Sequence, residues 1–398
     1  MKPIYLDYAA TTPLDKEVCG AMLPYMEDFF GNASSLHQTG QKAMRALDIS
    51  REIIAKAIGA KFQEIVCTGS ATEANNLALR GAIKRIKSQG LRIKEQQRII
   101  ISAIEHDSVL ETARDLEREG VEVVYLPVDK NGVVDLKKLK ASLNENTILV
   151  SVMYGNNVVG TIQPIAEIAK IIRDFRESLV NSHSSLWKDG YPLFHADAVQ
   201  VFQYRDCDVN TIGVNMMTIS SHKIYGPKGV GLLFSNVPLK SIITGGGQEF
   251  GLRSGTENIP AIVGFAKAVE EAVKIREKEA KRVEKLKEFL WKEIKKVAPE
   301  AIRNTPEKNA LPHILNVAFP NASKNLVAHM DALGVAVSSG AACSARSQET
   351  SYVLRAMGVS EELARRSIRL SLGRGTMESE IKRVAKIVQE AERERVAK

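Results

Sequence analysis

Short apolar runs alternate with amphipathic stretches through the first two-thirds of the chain. Residues 64–67, 98–102, 121–126, 147–153, 193–196 and 217–220 are brief, apolar and rich in Ile, Val and Leu. At that length they read as buried strands rather than helices. Helical periodicity fills the spaces between them, over 39–58, after Thr72, over 107–119 and from Pro164 to about Val180. Strand and helix in turn predict an α/β fold with a mainly parallel sheet. The pattern then changes. A long charged helical stretch over about 260–297 reads as a connector between two domains, with its apolar residues facing a core. A strand at 314–319, a helix at 323–333, a loop of small residues near 338–347 and terminal helices follow. Residues 181–192 are polar and read as a surface excursion.

Composition adds limits. A chain of 398 residues exceeds one small core, so two domains are expected. No apolar run reaches the roughly 18–20 residues of a membrane span, and the first residues lack the apolar segment of a signal peptide. The expected setting is cytoplasmic, with no membrane partner. The net charge of +8 comes from basic residues interspersed with acidic ones, as in Arg276-Glu277-Lys278-Glu279, which are solvated helix faces. No nucleic-acid-binding signature accompanies them, and no direct nucleic-acid contact is expected. Cys19, Cys67, Cys207 and Cys343 are widely spaced, against a disulfide framework and against a zinc site.

Candidate chemistry gathers where strands end, the position of ligand sites in parallel sheets. Ser220-Ser221-His222-Lys223 is followed by the turn Gly226-Pro227. A lysine held on such a tight loop among phosphate-binding groups suits a Schiff base to pyridoxal phosphate. Gly69-Ser70-Ala71-Thr72 lies between strand and helix, where backbone N–H groups and the Thr72 hydroxyl would hold a phosphate; a plain helix cap is the other reading. Asp197 ends a strand, and a carboxylate beside a pyridine nitrogen keeps it protonated. Gln200 is near enough to share that site. His106 offers ring stacking or proton transfer, against a purely structural role. Asn157 offers a hydrogen bond to the cofactor phenolic oxygen, against an ordinary Asn-rich turn. Cys343 sits among small polar residues, which predicts an exposed, mobile thiol. Arg369 suits a bidentate clamp on a substrate carboxylate, against a surface ion pair.

Taken in order, these residues resemble the cysteine desulfurases of the NifS/IscS type, among the fold-type-I pyridoxal-phosphate enzymes with class V aminotransferase-like sequences. The resemblance runs from Tyr5-Leu6-Asp7-Tyr8-Ala9-Ala10-Thr11-Thr12-Pro13 through Ala71-Thr72-Glu73-Ala74-Asn75-Asn76, Glu105-His106, Asp197-Ala198-Val199-Gln200 and Ser221-His222-Lys223. It ends with Arg253-Ser254-Gly255-Thr256, Ser338-Ser339-Gly340-Ala341-Ala342-Cys343 and Ser351–Gly358. It implies a large cofactor-binding domain over 15–260 with a seven-stranded, mainly parallel sheet. A smaller α+β domain over 1–14 and 261–398 would carry the cysteine loop. Lys223 would be the Schiff-base lysine. Ala71, Thr72, Ser220 and His222 would bind the phosphate, and Thr256 would reach the phosphate of the other subunit of a homodimer. Asp197 would pair with the pyridine nitrogen, Gln200 and Asn157 with the phenolic oxygen, and His106 would stack on the ring and exchange protons. Arg369 with Asn157 would bind the carboxylate of L-cysteine. Cys343 would accept its sulfur and pass it to an iron–sulfur scaffold or another acceptor, for cluster assembly or tRNA thiolation. No metal ligand is implied. The chain departs from the family pattern in having Val158 where Glu is usual, Asp107 after the histidine, and a longer 181–192 segment.

Three rivals have distinct consequences. An aminotransferase on this fold has no need of Cys343. A selenocysteine lyase can work without it, because selenium leaves more easily. A sulfur-handling scaffold protein needs neither the cofactor nor Lys223.

Overall fold

The computed structural model describes residues 3–88, 96–179, 190–322, 326–339 and 350–393, the last three without their side chains. Among them the strands are β1 (Ile4–Tyr5), β2 (Ile65–Thr68), β3 (Arg98–Ser102), β4 (Glu122–Leu126), β5 (Thr147–Ser151), β6 (Leu193–Asp197), β7 (Met216–Ser220), β8 (Gly231–Ser235), β9 (Ile302–Arg303), β10 (Ile314–Ala318), β11 (Val335–Ala336) and β12 (Ser367–Ser371). The helices are α1 (Lys16–Glu27), α2 (Gln38–Ala57), α3 (Ala71–Ser88), α4 (Asp107–Arg118), α5 (Leu136–Ser142), α6 (Ile165–Ser178), α7 (Val209–Ile212), α8 (Ile259–Val297), α9 (Leu326–Ala332), α10 (Tyr352–Ala356), α11 (Glu361–Arg365) and α12 (Glu378–Arg393).

Seven strands form one sheet in the order β2-β8-β7-β6-β5-β3-β4. Pairing is parallel from β7 across to β4, and antiparallel on both sides of β8. Strands β2 and β5 to β8 are buried at every position, as expected where helices cover both faces of a sheet. β8 has no counterpart in the sequence reading. It is a five-residue strand, Gly-Leu-Leu-Phe-Ser, directly after a glycine- and proline-rich turn. Gly231 begins it for a steric reason: a Cβ there would lie 2.5 Å from the Ser70 carbonyl carbon and 2.7 Å from the Ala71 nitrogen. Only glycine lets β8 carry the β2–α3 turn this closely.

The second sheet is β12-β10-β9, antiparallel throughout, and β1 pairs in parallel with β11. Helix α8, 39 residues long, serves two cores. Ile259, Ile262, Phe265 and Val269 in its first half pack with the residues of the large sheet. Val283, Leu286, Leu290 and Ile294 in its second half pack with β10 and β12. The Asn258 side chain accepts the Ala261 N–H and caps its start.

Two details differ from the sequence reading. The polar excursion does not extend to 192: Tyr191 is buried beside Leu193 and Met216, because a large aromatic ring outweighs its polar neighbours. Val158 is also buried, against Ile104, Met153, Val353 and Leu354. An ionised side chain at this position would place a charge in an apolar cluster. Residues 180–189 and the small-residue loop at 340–349, with Cys343, lie outside the described residues.

Candidate active site

One cavity of about 390 Å³ opens at the ends of β2, β3, β6 and β7. Its lining includes Ala71, Thr72, His106, Asn157, Asp197, Gln200, Ser220, His222, Lys223 and Arg369. Ten of the candidates from six separate stretches of sequence thus share one space. Among the described candidates Thr256 is the exception: it lines a separate, smaller cavity with Gly69, Arg253 and Asn258.

Lys223 ends the short 3-10 turn after β7. Its Nζ donates to Ala9 O at 2.7 Å and Ala10 O at 2.6 Å. The N-terminal segment is tied to the same loop, since Thr12 N donates to His222 O at 3.0 Å. His222 Nδ1 lies 3.1 Å from Thr11 Oγ1. Burial, then the neighbouring Lys223 and Lys228, lowers the His222 pKa to about 4, so the ring is neutral near pH 7.

The phosphate-binding candidates sit at the start of α3. Gly69 N donates to Glu73 Oε2 at 2.8 Å, and Glu73 N to Ser70 Oγ at 3.1 Å. Arg253 Nε holds the other Glu73 oxygen at 2.9 Å. These bonds close the loop into a fixed cap, with the Thr72 hydroxyl and the helix start at the cavity wall.

Asp197 ends β6, and both its oxygens accept. Val199 N reaches Oδ1 at 3.0 Å and Asn75 Nδ2 reaches Oδ2 at 2.9 Å. Asn75 Nδ2 also donates to Ser108 Oγ at 2.8 Å. That hydroxyl lies 2.9 Å from His106 Nδ1, which also receives Ser108 N at 3.1 Å. An amide nitrogen can only donate, so Ser108 Oγ accepts from Asn75 and turns its own proton to Nδ1. With Nδ1 accepting, the arrangement fits the tautomer of His106 with its proton on Nε2. His106 is both the cap of α4 and a cavity residue.

Arg369 is not in a surface ion pair. It is 1% exposed, with Nη2 donating to Asp7 Oδ1 at 2.7 Å and Nη1 to Asn157 O at 2.9 Å. Asn157 Oδ1 is buried without a hydrogen-bond partner among the described residues, as is Arg369 Nε. Behind the wall, Glu105 Oε1 accepts Met153 N at 2.7 Å. Complete burial, opposed by that bond and reinforced by Asp197, raises the Glu105 pKa well above the ordinary carboxyl value.

Asn75, Ser108, Asp7 and Glu105 are neighbours of the site that sequence reasoning missed. Asn75 and Asp7 orient cavity residues through bonds spanning 33 to 362 positions, and Ser108 holds His106 from two positions away. Asp7, Asn75 and Glu105 carried a signal only as members of the resembling motifs, and Ser108 carried none.

Comparison with known proteins decides the family. The aminotransferase class-V model matches residues 4–384. The cysteine desulfurase IscS of Dictyoglomus turgidum is 42% identical over 383 residues, 96% of this chain and 92% of that one. The chain belongs to the cysteine desulfurases. A solved NifS-like protein superposes with a TM-score of 0.87 at 36% identity, covering 98% of both chains. A structure of SspA in complex with cysteine gives 0.79 at 36% identity, over 93% of this chain and 98% of that one.

As a cysteine desulfurase of the class-V aminotransferase family, the chain is a pyridoxal-phosphate enzyme with the α/β fold-type-I architecture. The cavity suits that cofactor. It offers hydroxyl and backbone N–H donors at the start of an 18-residue helix for a phosphate, and a buried carboxylate for a pyridine nitrogen. It also presents a primary amine and the unpartnered Asn157 Oδ1.

Proposed function

We propose that this chain converts L-cysteine to L-alanine and carries the released sulfur as a persulfide on Cys343 to acceptor proteins, an iron–sulfur scaffold among them. The observation that supports the reading most is the convergence of Lys223, Asp197, His106 and Arg369 on one cavity. Residues 15–260 form the cofactor-binding domain in this reading, and 1–14 with 261–398 the smaller one.

Pyridoxal phosphate, when bound, supplies an electron sink for bond breaking at the substrate Cα. Lys223 holds the cofactor, and its amine then removes the Cα proton and later returns it. Asp197, oriented by Asn75 and Val199, keeps a proton on the pyridine nitrogen. Thr72, Ser220, His222 and the Ala71 N–H would bind the phosphate, while Gln200 and Asn157 would hydrogen-bond the phenolic oxygen. His106 would stack on the ring and exchange a proton through Nε2. Arg369, with Asn157, takes the substrate carboxylate. The Cys343 thiolate attacks the substrate sulfur. The new S–S bond forms as the C–S bond breaks, the electron pair of that bond stays with the substrate carbon, and protonation there gives alanine.

A homodimer is part of the proposal. Met26, Phe30 and Leu36 are 56%, 75% and 92% exposed on and between α1 and α2, an apolar surface that a second copy would cover. Thr256, set apart from the cavity of its own chain, is placed in this reading on the partner's phosphate. Cys67 and Cys207 are buried free thiols, which agrees with a reducing, cytoplasmic setting. No helix among the described residues is long and apolar enough to cross a membrane.

Borohydride reduction of the cofactor-loaded protein, followed by peptide mass spectrometry, tests the lysine. The mass of a reduced pyridoxyl group is expected on Lys223. Its appearance on another lysine would refute the assignment.

A further inference from the structure

His313 lies one residue before β10, 3% exposed, far in sequence from the cofactor-binding candidates. Its ring stacks on Tyr204, with centroids 4.5 Å apart and planes inclined by 25°. Its Nε2 is 3.3 Å from Gln200 Oε1, and Gln200 Nε2 donates to Ala9 O at 2.9 Å. The same carbonyl accepts from Lys223 Nζ at 2.7 Å. Gln200 and Lys223 both line the cavity; His313 does not.

The backbone carbonyl fixes the whole arrangement. Ala9 O can only accept, so the end of Gln200 that faces it is the amide nitrogen. The other end is the amide oxygen, which can only accept, so His313 Nε2 must carry its proton. Burial keeps this ring neutral, its pKa well below the ordinary histidine value, with Lys287, Arg369 and Lys223 adding to the effect. A neutral ring has one proton, which leaves Nδ1 bare; Nδ1 has no hydrogen-bond partner among the described residues.

We propose that His313 is a positioning residue, whose Nε2–H locks the Gln200 side chain with its amide nitrogen turned to Ala9 and the cavity. One N–H of that nitrogen goes to Ala9 O, and the second is left for an oxygen of the bound cofactor. The inference rests on the proposed placement of Gln200 beside the phenolic oxygen. It adds a link from the β10–β12 sheet to the cofactor, made through a side chain that never reaches the cavity. Without the donor, Gln200 Oε1 is a buried acceptor with no partner, and the side chain is free to swing.

The test is titration of the apo-protein with pyridoxal phosphate, together with the visible absorption spectrum of the loaded protein. His313→Phe keeps a flat ring on Tyr204 and removes the donor. Loss of one neutral hydrogen bond predicts a cofactor Kd about 3- to 10-fold weaker, with a shifted absorption maximum. His313→Gln, which retains an N–H donor, is expected to restore both readouts toward wild type. In the Gln200→Ala background, His313→Phe should add nothing. His313→Met replaces the phenylalanine in these comparisons if the latter does not fold. An unchanged Kd and spectrum in His313→Phe would overturn the inference. So would equal weakening by His313→Gln, or additive loss in the double variant. If Gln200→Ala alone leaves both readouts unchanged, the placement of Gln200 itself is wrong and the inference falls with it.

Discussion

Replacing Arg369 by lysine tests the substrate clamp without removing its charge. A guanidinium has five N–H donors. One is held by Asp7 at 2.7 Å and one by Asn157 O at 2.9 Å. Three remain for a ligand, enough for a two-point grip on a carboxylate. A lysine ammonium has three donors on one atom. If two keep Asp7 and Asn157 O, one is left, and the grip becomes single. Desolvation and net charge at the site stay nearly the same, because both side chains are cationic. The difference is therefore one charge-assisted hydrogen bond, worth about 1.5–3 kcal/mol, or about 10- to 150-fold in KM for L-cysteine. The assay is steady-state alanine production over a range of L-cysteine concentrations with a thiol reductant present. A visible cofactor spectrum and a melting curve for each protein establish that the pocket is intact. kcat should fall far less than kcat/KM, since the lost contact exists before and during the reaction. A KM unchanged between the two proteins would refute the carboxylate role and leave Arg369 as a structural tie between Asp7 and Asn157.

Two further outcomes follow, one from a buried histidine and one from exposed apolar residues. His195 is fully buried between Ser151 Oγ at 2.8 Å and Thr218 Oγ1 at 3.0 Å, and burial lowers its pKa from 6.5 to about 4. The unfolded chain therefore binds a proton that the folded one refuses, so stability present above pH 6.5 is lost as pH falls toward 4. His195 alone contributes about 3 kcal/mol to that loss, and His222 and His313 act in the same direction. Urea midpoints measured between pH 7 and pH 4 should decline steeply, and His195→Gln should flatten the decline; an equal slope in both would refute the assignment. Sedimentation velocity of the full chain at micromolar concentration should give a dimer, and Phe30→Glu with Leu36→Glu should shift it to monomer. A monomeric wild-type chain would remove the proposed role of Thr256.

Much of the fold could be read from the spacing of apolar runs, because strands buried on both faces are short and mostly apolar, as in Ile99–Ile101 and Ile148–Val150. β8 could not. Its five residues follow Gly226-Pro227-Lys228-Gly229, and its place between β2 and β7 depends on Gly231 fitting against Ser70 and Ala71. Most of the cavity residues were legible because they follow the ends of strands and their residue types suit one cofactor; Arg369 instead lies within β12. Their supports were not legible. Asn75 reads as a polar position on a helix, and only the fold brings its amide between Asp197 and Ser108. His313 reads as a lone histidine before a strand, and its bond to Gln200 crosses 113 positions. Arg369 illustrates the limit from the other side. Its strand was evident, but an ion pair with Asp7, 362 residues away, is visible only once β12 is placed beside the N-terminal segment.

The central claim is that this cavity feeds sulfur from L-cysteine to Cys343. The most direct test measures sulfide and alanine released from L-cysteine by the wild-type protein and by Cys343→Ser, both loaded with cofactor and assayed with a thiol reductant. The account predicts equal amounts of the two products from wild type, and neither from the variant despite its normal visible spectrum. Undiminished release of both products from Cys343→Ser would contradict it.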